Sequence, residues 1–216
     1  MSPERGSRLL DISVALSPGT APWPGDTAYS CGWTSKLATG ASVNVSSITS
    51  SPHVGTHADA PLHVRDGWPA SDELPLEAFV GLVRVVDLSA FSGEISIENL
   101  EHASPKTDYE RLLLKTGRTI AAGGFPEDWP TLSESCAKTL ASKGLKLLGV
   151  DAPSVDPCQS KTLPVHNALF TANACILENL DLRGVAAGDY ELIALPLKMV
   201  GLDAAPVRAV LREIVR

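Results

Sequence analysis

His53-Val-Gly-Thr-His57-Ala-Asp59-Ala-Pro-Leu-His63 is the stretch on which the fold and chemistry of this chain turn. It gathers three of the five histidines and an aspartate between Pro52 and the turn after Pro61. Neutral imidazole and carboxylate are preferred ligands of zinc, and imidazole also suits iron, copper and nickel, so a metal site is indicated without the ion being named. On an extended strand, positions 53, 57, 59 and 63 point to one face, and Gly55 leaves room beside them. At about 3.3 Å per residue, however, His53 and His57 would stand ~13 Å apart, too far to share an ion. The chain must therefore bend. Gly55 is the natural place for a kink or bulge, although one helical turn would also make residues four apart neighbours. The helical metalloprotease motif is excluded, because Val54 stands where its Glu base belongs and prolines bracket the run. A loop or bent strand is expected. Four converging ionisable groups would be costly to desolvate without an ion or hydrogen bonds to compensate them, which favours metal binding over a set of ordinary polar residues.

Working outward, 216 residues of which 44% are hydrophobic can bury one sizeable core, and no linker-like stretch divides them. One domain is expected over residues 8–216, with residues 1–7 as a disordered N-terminal extension. The 25 acidic residues exceed the 18 basic ones and no basic cluster occurs, which disfavours nucleic acid and anionic membrane surfaces as partners. A small organic partner is expected instead. No apolar run reaches the roughly 18 residues of a membrane span, and the first seven residues lack the apolar core of a signal peptide, so the cytoplasm is the expected compartment. Cys31, Cys136, Cys158 and Cys175 follow no metal-binding spacing and read as free thiols of structural type.

The periodicity is that of a mixed α/β chain. Leu9–Leu16 and Val43–Thr49 alternate, while Val83–Leu88, Lys146–Val150 and Tyr190–Leu197 are apolar runs of strand length. Thr131-Leu-Ser-Glu134 predicts a capping box for a helix carrying Leu132, Cys136 and Leu140 and ended by Gly144. Ser96 predicts a cap for a short helix over 97–102, with His102 on its surface. The segment 206–215 fits a helical face or a strand by pattern. Asp151-Ala-Pro-Ser-Val-Asp156 reads as a structural turn, although loops after strands often carry active-site residues. Thr56 and Ser154 lie in no Gly-x-Ser-x-Gly elbow, so an acyl-enzyme nucleophile is not expected. Trp23, between two prolines, could by itself be a core plug.

Taken in order, Pro22-Trp23-Pro24-Gly25-Asp26-Thr27, Val43-Asn44-Val45 and the histidine segment resemble the bacterial kynurenine formamidases, a branch of the metal-dependent cyclase-like hydrolases. The likeness continues through Asp151-Ala-Pro-Ser154-Val-Asp156-Pro, Ser160-Lys-Thr-Leu-Pro-Val-His166, Ile176-Leu-Glu178, the run 188–198 and the run 202–212. Residues 1–7 and parts of 90–145 fall outside it. The resemblance implies the swivelling β/β/α fold of that family and a strand rather than a helix near the C-terminus. It implies that His53, His57, Asp59, His166 and Glu178 hold two zinc ions per subunit, with manganese or another divalent metal possible, and that Asp59 bridges them. His63 would be the proton donor and acceptor, and Trp23 would lie against the aryl part of the substrate. The implied reaction is hydrolysis of N-formyl-L-kynurenine to L-kynurenine and formate in tryptophan degradation, by a homodimer. Two alternatives stay open. A related hydrolase could open a cyclic amide such as isatin, and a non-catalytic metal-binding module would result if His63 closed a four-ligand site.

Overall fold

Arg111–Lys115, Leu147–Val150 and Cys175–Glu178 are short runs with apolar centres and charge only at their ends, the pattern of strands covered on both faces. In the computed structural model, which describes residues 8–104 and 108–214, they form the middle of a nine-stranded mixed sheet. The N-terminal extension expected over 1–7 lies outside the described residues. The strands are β1 (Leu9–Asp11), β2 (Ser30–Ser35), β3 (Val45–Thr49), β4 (His57–Asp59), β5 (Val80–Asp87), β6 (Glu94–Ile95), β7 (Arg111–Lys115), β8 (Thr131–Leu132), β9 (Leu147–Val150), β10 (Cys175–Glu178), β11 (Gly188–Ile193), β12 (Ala204–Pro206) and β13 (Val210–Glu213). The helices are α1 (Ile97–Ala103), α2 (Glu134–Ser142) and α3 (Pro164–Thr171). The order across the large sheet is β1-β13-β11-β5-β7-β9-β10-β4-β12. Strands β5, β7, β9 and β10 run parallel, and antiparallel wings flank them.

Each sheet face has its own core. On one, Leu100, Leu140 and Leu169 from the three helices pack against Val86, Leu112, Leu114, Leu148 and Ile176. On the other, the wings curl over: Ile12, Phe79, Leu192 and Leu211 meet Val85, Leu113, Leu147 and Leu177. Isolated bridges from Ser13 to Leu180 and from Pro196 to Val207 tie segments beyond the strand ends and hold the curl. The result is the mixed α/β architecture expected of the swivelling β/β/α fold.

Several local expectations hold and several shift. Ser96 caps α1 through Asn99, and His102 is exposed on its last turn. The C-terminal segment is a strand, its Leu211 buried between β1 and β11. The predicted box at Thr131 is wrong by one element. Thr131 and Leu132 are taken up by pairing with Glu94 and Ile95, so Ser133 caps α2 by accepting from the Cys136 amide. Val43–Thr49 does contain a strand, yet its alternation marks no buried face: β2 and β3 form a separate hairpin, exposed along nearly all of its length. Strands β7 and β10 and helix α3 lie where the periodicity predicts no element.

Candidate metal centre and its cavity

The bend required of the histidine segment occurs at Gly55, whose φ of +76° is open to glycine and strained for other residues. A Cβ there would also lie 2.5 Å from Leu16 Cδ2. The chain then enters β4, and a single 3₁₀ turn over Pro61–His63 brings His63 back over the strand. Nδ1 of His53 thereby reaches 3.2 Å from Nε2 of His57, in place of the ~13 Å of a straight strand.

Sheet register supplies the distant members. Pairing of β10 with β4 sets Glu178 opposite His57, and pairing of β12 with β4 sets Ala204 opposite Asp59, which places Asp203 at the rim. His166 arrives on the first turn of α3, 107 residues from Asp59 in sequence. Asp59 Oδ1 lies 3.1 Å from His53 Nδ1 and 3.2 Å from His57 Nε2, while Oδ2 lies 3.2 Å from His166 Nε2. Glu178 reaches His57 Nε2 at 3.6 Å through Oε2 and His166 Nε2 at 3.5 Å through Oε1. All five residues implied as ligands converge, with His63 beside them: its ring centroid is 4.4 Å from that of His53.

Hydrogen bonds on the outer side of each imidazole fix which nitrogen faces inward. His57 Nδ1 donates to the Gly55 carbonyl at 2.9 Å, His166 Nδ1 to Asp156 Oδ2 at 2.7 Å, and His53 Nε2 to Asp203 Oδ2 at 3.0 Å. Each ring then turns a lone pair toward the carboxylates, the arrangement found behind metal-ligating histidines. Asp59 Oδ1 correspondingly has no hydrogen-bond donor although it is fully buried. Its close contacts to His53 and His57 are therefore contacts between acceptors unless positive charge lies between them. Burying two carboxylates costs several kcal/mol each without such charge. Among protein groups alone, protons on the imidazoles must supply it. Burial works against protonating His53, but hydrogen bonds to Asp203 and Asp59 outweigh it and raise the ring to about 10. His166 is likewise opposed by burial yet raised to about 10 by Asp156 and Asp59. Glu178 is pushed up to about 7 by burial and by the negative charge of Asp59. Asp59 itself is held well below the ordinary range: burial opposes this, but the charge of His57 and the hydrogen bonds of His166 and His53 prevail. A cation on the inward lone pairs would meet the same demand, so the donor set fits divalent metal.

Above these donors opens a cavity of about 330 Å³, lined by Trp23, Phe125, Ser154, Cys158, Ser160 and Lys161 as well as by the histidines and Glu178. Trp23 is half-buried, edge-on to Phe125 at 5.4 Å and to Trp129 at 6.1 Å. The turn 151–156 divides in two. Asp151 is structural, accepting from the Thr116 and Gly117 amides, whereas Asp156 orients His166 and also caps α3 through the Val165 and His166 amides. Thr56 is structural, donating to the Asn179 carbonyl, and the described cysteines are free thiols. Cys158 departs from its structural reading in lining the cavity, and Cys31 in being exposed. Asp156 and Asp203 were not singled out as site residues. Their positions in motifs around His166 and β12 were the available clue.

Residues 10–157 match the Cyclase family. The chain belongs to that family. It is 45% identical over 207 residues to the kynurenine formamidase of Bordetella avium, a match covering 96% of this chain and 99% of that relative. A solved structure of a predicted metal-dependent hydrolase from Bacillus stearothermophilus superposes with a TM-score of 0.82 at 29% identity, covering 96% of this chain and 99% of that one. Isatin hydrolase A from Ralstonia solanacearum superposes with a TM-score of 0.81 over 96% of this chain and 92% of its own, at 21% identity, a likeness of fold. The resemblance to the kynurenine formamidase branch is borne out by these relatives.

Proposed function

We propose that this chain hydrolyses N-formyl-L-kynurenine to L-kynurenine and formate in tryptophan degradation, with two zinc ions held by His53, His57, Asp59, His166 and Glu178. The chain is a hydrolase, as its formamidase relatives and metal-dependent hydrolase neighbours indicate. The observation that carries the reading is the convergence of inward lone pairs and two buried carboxylates beneath an aromatic-lined cavity. Divalent ions bound there would lower the pKa of water and polarise a carbonyl. Asp59, with one oxygen toward His53 and His57 and the other toward His166, would bridge the two ions. His63 would take the proton of the attacking water and return it to the departing aryl amine. A cavity open above the donors suits water and substrate, unlike a closed four-ligand structural site. Hydrolysis of N-formyl-kynurenine by zinc-loaded but not by chelated protein is the expected result. Ring opening of isatin at a higher kcat/KM would favour the cyclic-amide alternative.

Trp23 supports the aryl end of the substrate. Aromatic stacking is worth roughly 0.5–1.5 kcal/mol beyond area burial and acts alike on ground and transition states, so it shows in KM. Trp23→Ala is expected to raise KM for N-formyl-kynurenine with a smaller effect on kcat. A much lowered melting temperature with unchanged KM in the folded fraction would make Trp23 a core plug. At the other end, Lys161 forms no ion pair among the described residues, and Ser160 Oγ accepts from the Leu163 amide, which leaves its proton to donate. Both can meet the α-carboxylate of the substrate. Lys161→Met is expected to raise KM for N-formyl-kynurenine while leaving KM for formanilide, which has no carboxylate, within about twofold, as loss of uniform binding requires. Equal changes for both substrates would remove Lys161 from recognition.

Residues 8–216 are proposed to act as one catalytic domain in the cytoplasm; among the described residues no helix is long and apolar enough to cross a membrane. A homodimer is supported by the β2–β3 hairpin, which leaves Trp33 59% and Ile48 67% exposed. Sedimentation at the monomer mass would count against it.

A further inference from the structure

Asp203 stands one residue ahead of β12, and its carbonyl is fixed by the Ala60 amide at 2.9 Å. Its Oδ2 accepts from two imidazoles at once, Nε2 of His53 at 3.0 Å and Nδ1 of His63 at 3.3 Å. With Nδ1–H of His63 engaged by the carboxylate, Nε2 is the nitrogen left to exchange a proton. One donor atom each of His63, Asp59 and His166 lie within 4.8 Å of one another, so the ring stands over the proposed ligands. We infer that Asp203 is a positioning residue that fixes the tautomer and orientation of His63 and, through the same oxygen, couples it to the metal-facing ring of His53.

The inference rests on the reading of His63 as proton carrier. A carboxylate that holds the Nδ1–H of a histidine base keeps the ring in the productive tautomer and stabilises the imidazolium formed during reaction, without being protonated itself. Here His63 Nε2 would take a proton from the attacking water. As the C–N bond breaks, its electron pair stays on the amine nitrogen and receives that proton from Nε2. His63 returns to neutral, and Asp203 remains ionised throughout. A carboxylate behind a metal-ligating imidazole does a different job, raising ligand basicity and aiming the ring. The two jobs separate by substrate. Both substrates need the attacking water deprotonated, but only an aniline leaving group must also be protonated to depart, whereas 4-nitrophenolate leaves without a proton, so a fault in the His63 relay falls harder on the amide.

The experiment compares wild type, Asp203→Ala and the near-isosteric Asp203→Asn, all loaded with zinc chloride and assayed for bound zinc, on formanilide and on 4-nitrophenyl formate. At full zinc occupancy, Asp203→Ala is expected to lose roughly 10²-fold or more in kcat on formanilide, within the 10²–10⁴ scale of the general acid–base catalysis it supports, with KM within about twofold and a loss on the ester at least about tenfold smaller. In a His63→Ala background the same change should cost less than about threefold further on formanilide, because the group it positions is gone. Equal losses on amide and ester, or recovery of the formanilide rate in excess zinc, would overturn the inference and make Asp203 a support of His53 alone. Loss of an ion that excess zinc cannot restore would also overturn it, as Asp203 would then be a ligand. If Asp203→Ala does not fold, Asp203→Asn, which keeps the shape and removes the charge, decides by the same amide-to-ester ratio. A zinc-loaded wild type inert toward both formanilide and N-formyl-kynurenine overturns this inference together with the proposed function. An active wild type with an unchanged ratio in the variants overturns the inference alone.

Discussion

Asp59→Ala is expected to remove both metal ions together and reduce hydrolysis to background. The two oxygens of this carboxylate face different imidazoles: Oδ1 is 3.1 Å from His53 and 3.2 Å from His57, and Oδ2 is 3.2 Å from His166. No other described carboxylate is shared this way between the β4 histidines and the α3 histidine at such short distances. Glu178 also faces both sides, but at 3.6 and 3.5 Å and with Oε1 already accepting from the Val155 amide. Removal of Asp59 would therefore leave each ion with imidazoles and a half-share of one glutamate, too few anionic donors to offset dehydration of a divalent cation. Metal analysis after dialysis against zinc checks the prediction. One ion retained at full occupancy would show that Asp59 serves only one side. Asp59→Asn provides the control for packing, because the side chain is fully buried and alanine leaves a void as well as removing charge.

Much of this centre is legible in the sequence because its first half is local. His53, Gly55, His57, Asp59 and His63 share parity, and the impossibility of a straight strand foretells the kink that Gly55 makes. His166 and Glu178 become legible only by resemblance, since nothing in local periodicity says that β10 will lie beside β4 in the register that sets Glu178 opposite His57. Asp156 and Asp203 are harder still. Their work is a hydrogen bond to the far side of a ring, and Asp156 looks from sequence like any aspartate in a turn with prolines. Helix α3 had its own markers, Pro164 at the first turn and Val165 and Leu169 four apart, but His166 drew that segment into a ligand motif rather than a helix. The error at Thr131 has a tertiary cause. A Ser/Thr-x-x-Glu pattern is a start signal only while its first residue is free, and Thr131 pairs with Glu94. The hairpin shows the converse limit: alternation in Val43–Thr49 is consistent with a strand but cannot say whether anything in the same subunit covers it.

His63→Ala and His57→Ala are expected to fail in different ways. His57 is buried, donates Nδ1–H to the Gly55 carbonyl, and turns Nε2 toward both Asp59 and Glu178. Its loss opens the donor ring, so zinc and activity should disappear together. The His63 side chain is 31% exposed and lies at the cavity wall, bonded outward to Asp203. Burial lowers its proton affinity, although the charge of Asp59 works in the other direction, so the ring favours the neutral form that can accept a proton. His63→Ala should keep both ions and lose roughly 10²–10⁴ in kcat, the scale of general acid–base catalysis, or about 3–5 kcal/mol of barrier. Zinc content measured beside kcat for the two variants makes the comparison. Two ions with a collapsed kcat in His63→Ala, against none in His57→Ala, assigns proton transfer to the exposed ring and ligation to the buried one. The opposite outcome has a structural route, because a His63 nitrogen is close enough to Asp59 and His166 to share an ion with them. Equal zinc loss in both variants would place His63 among the ligands and move the proton to another group at the cavity wall.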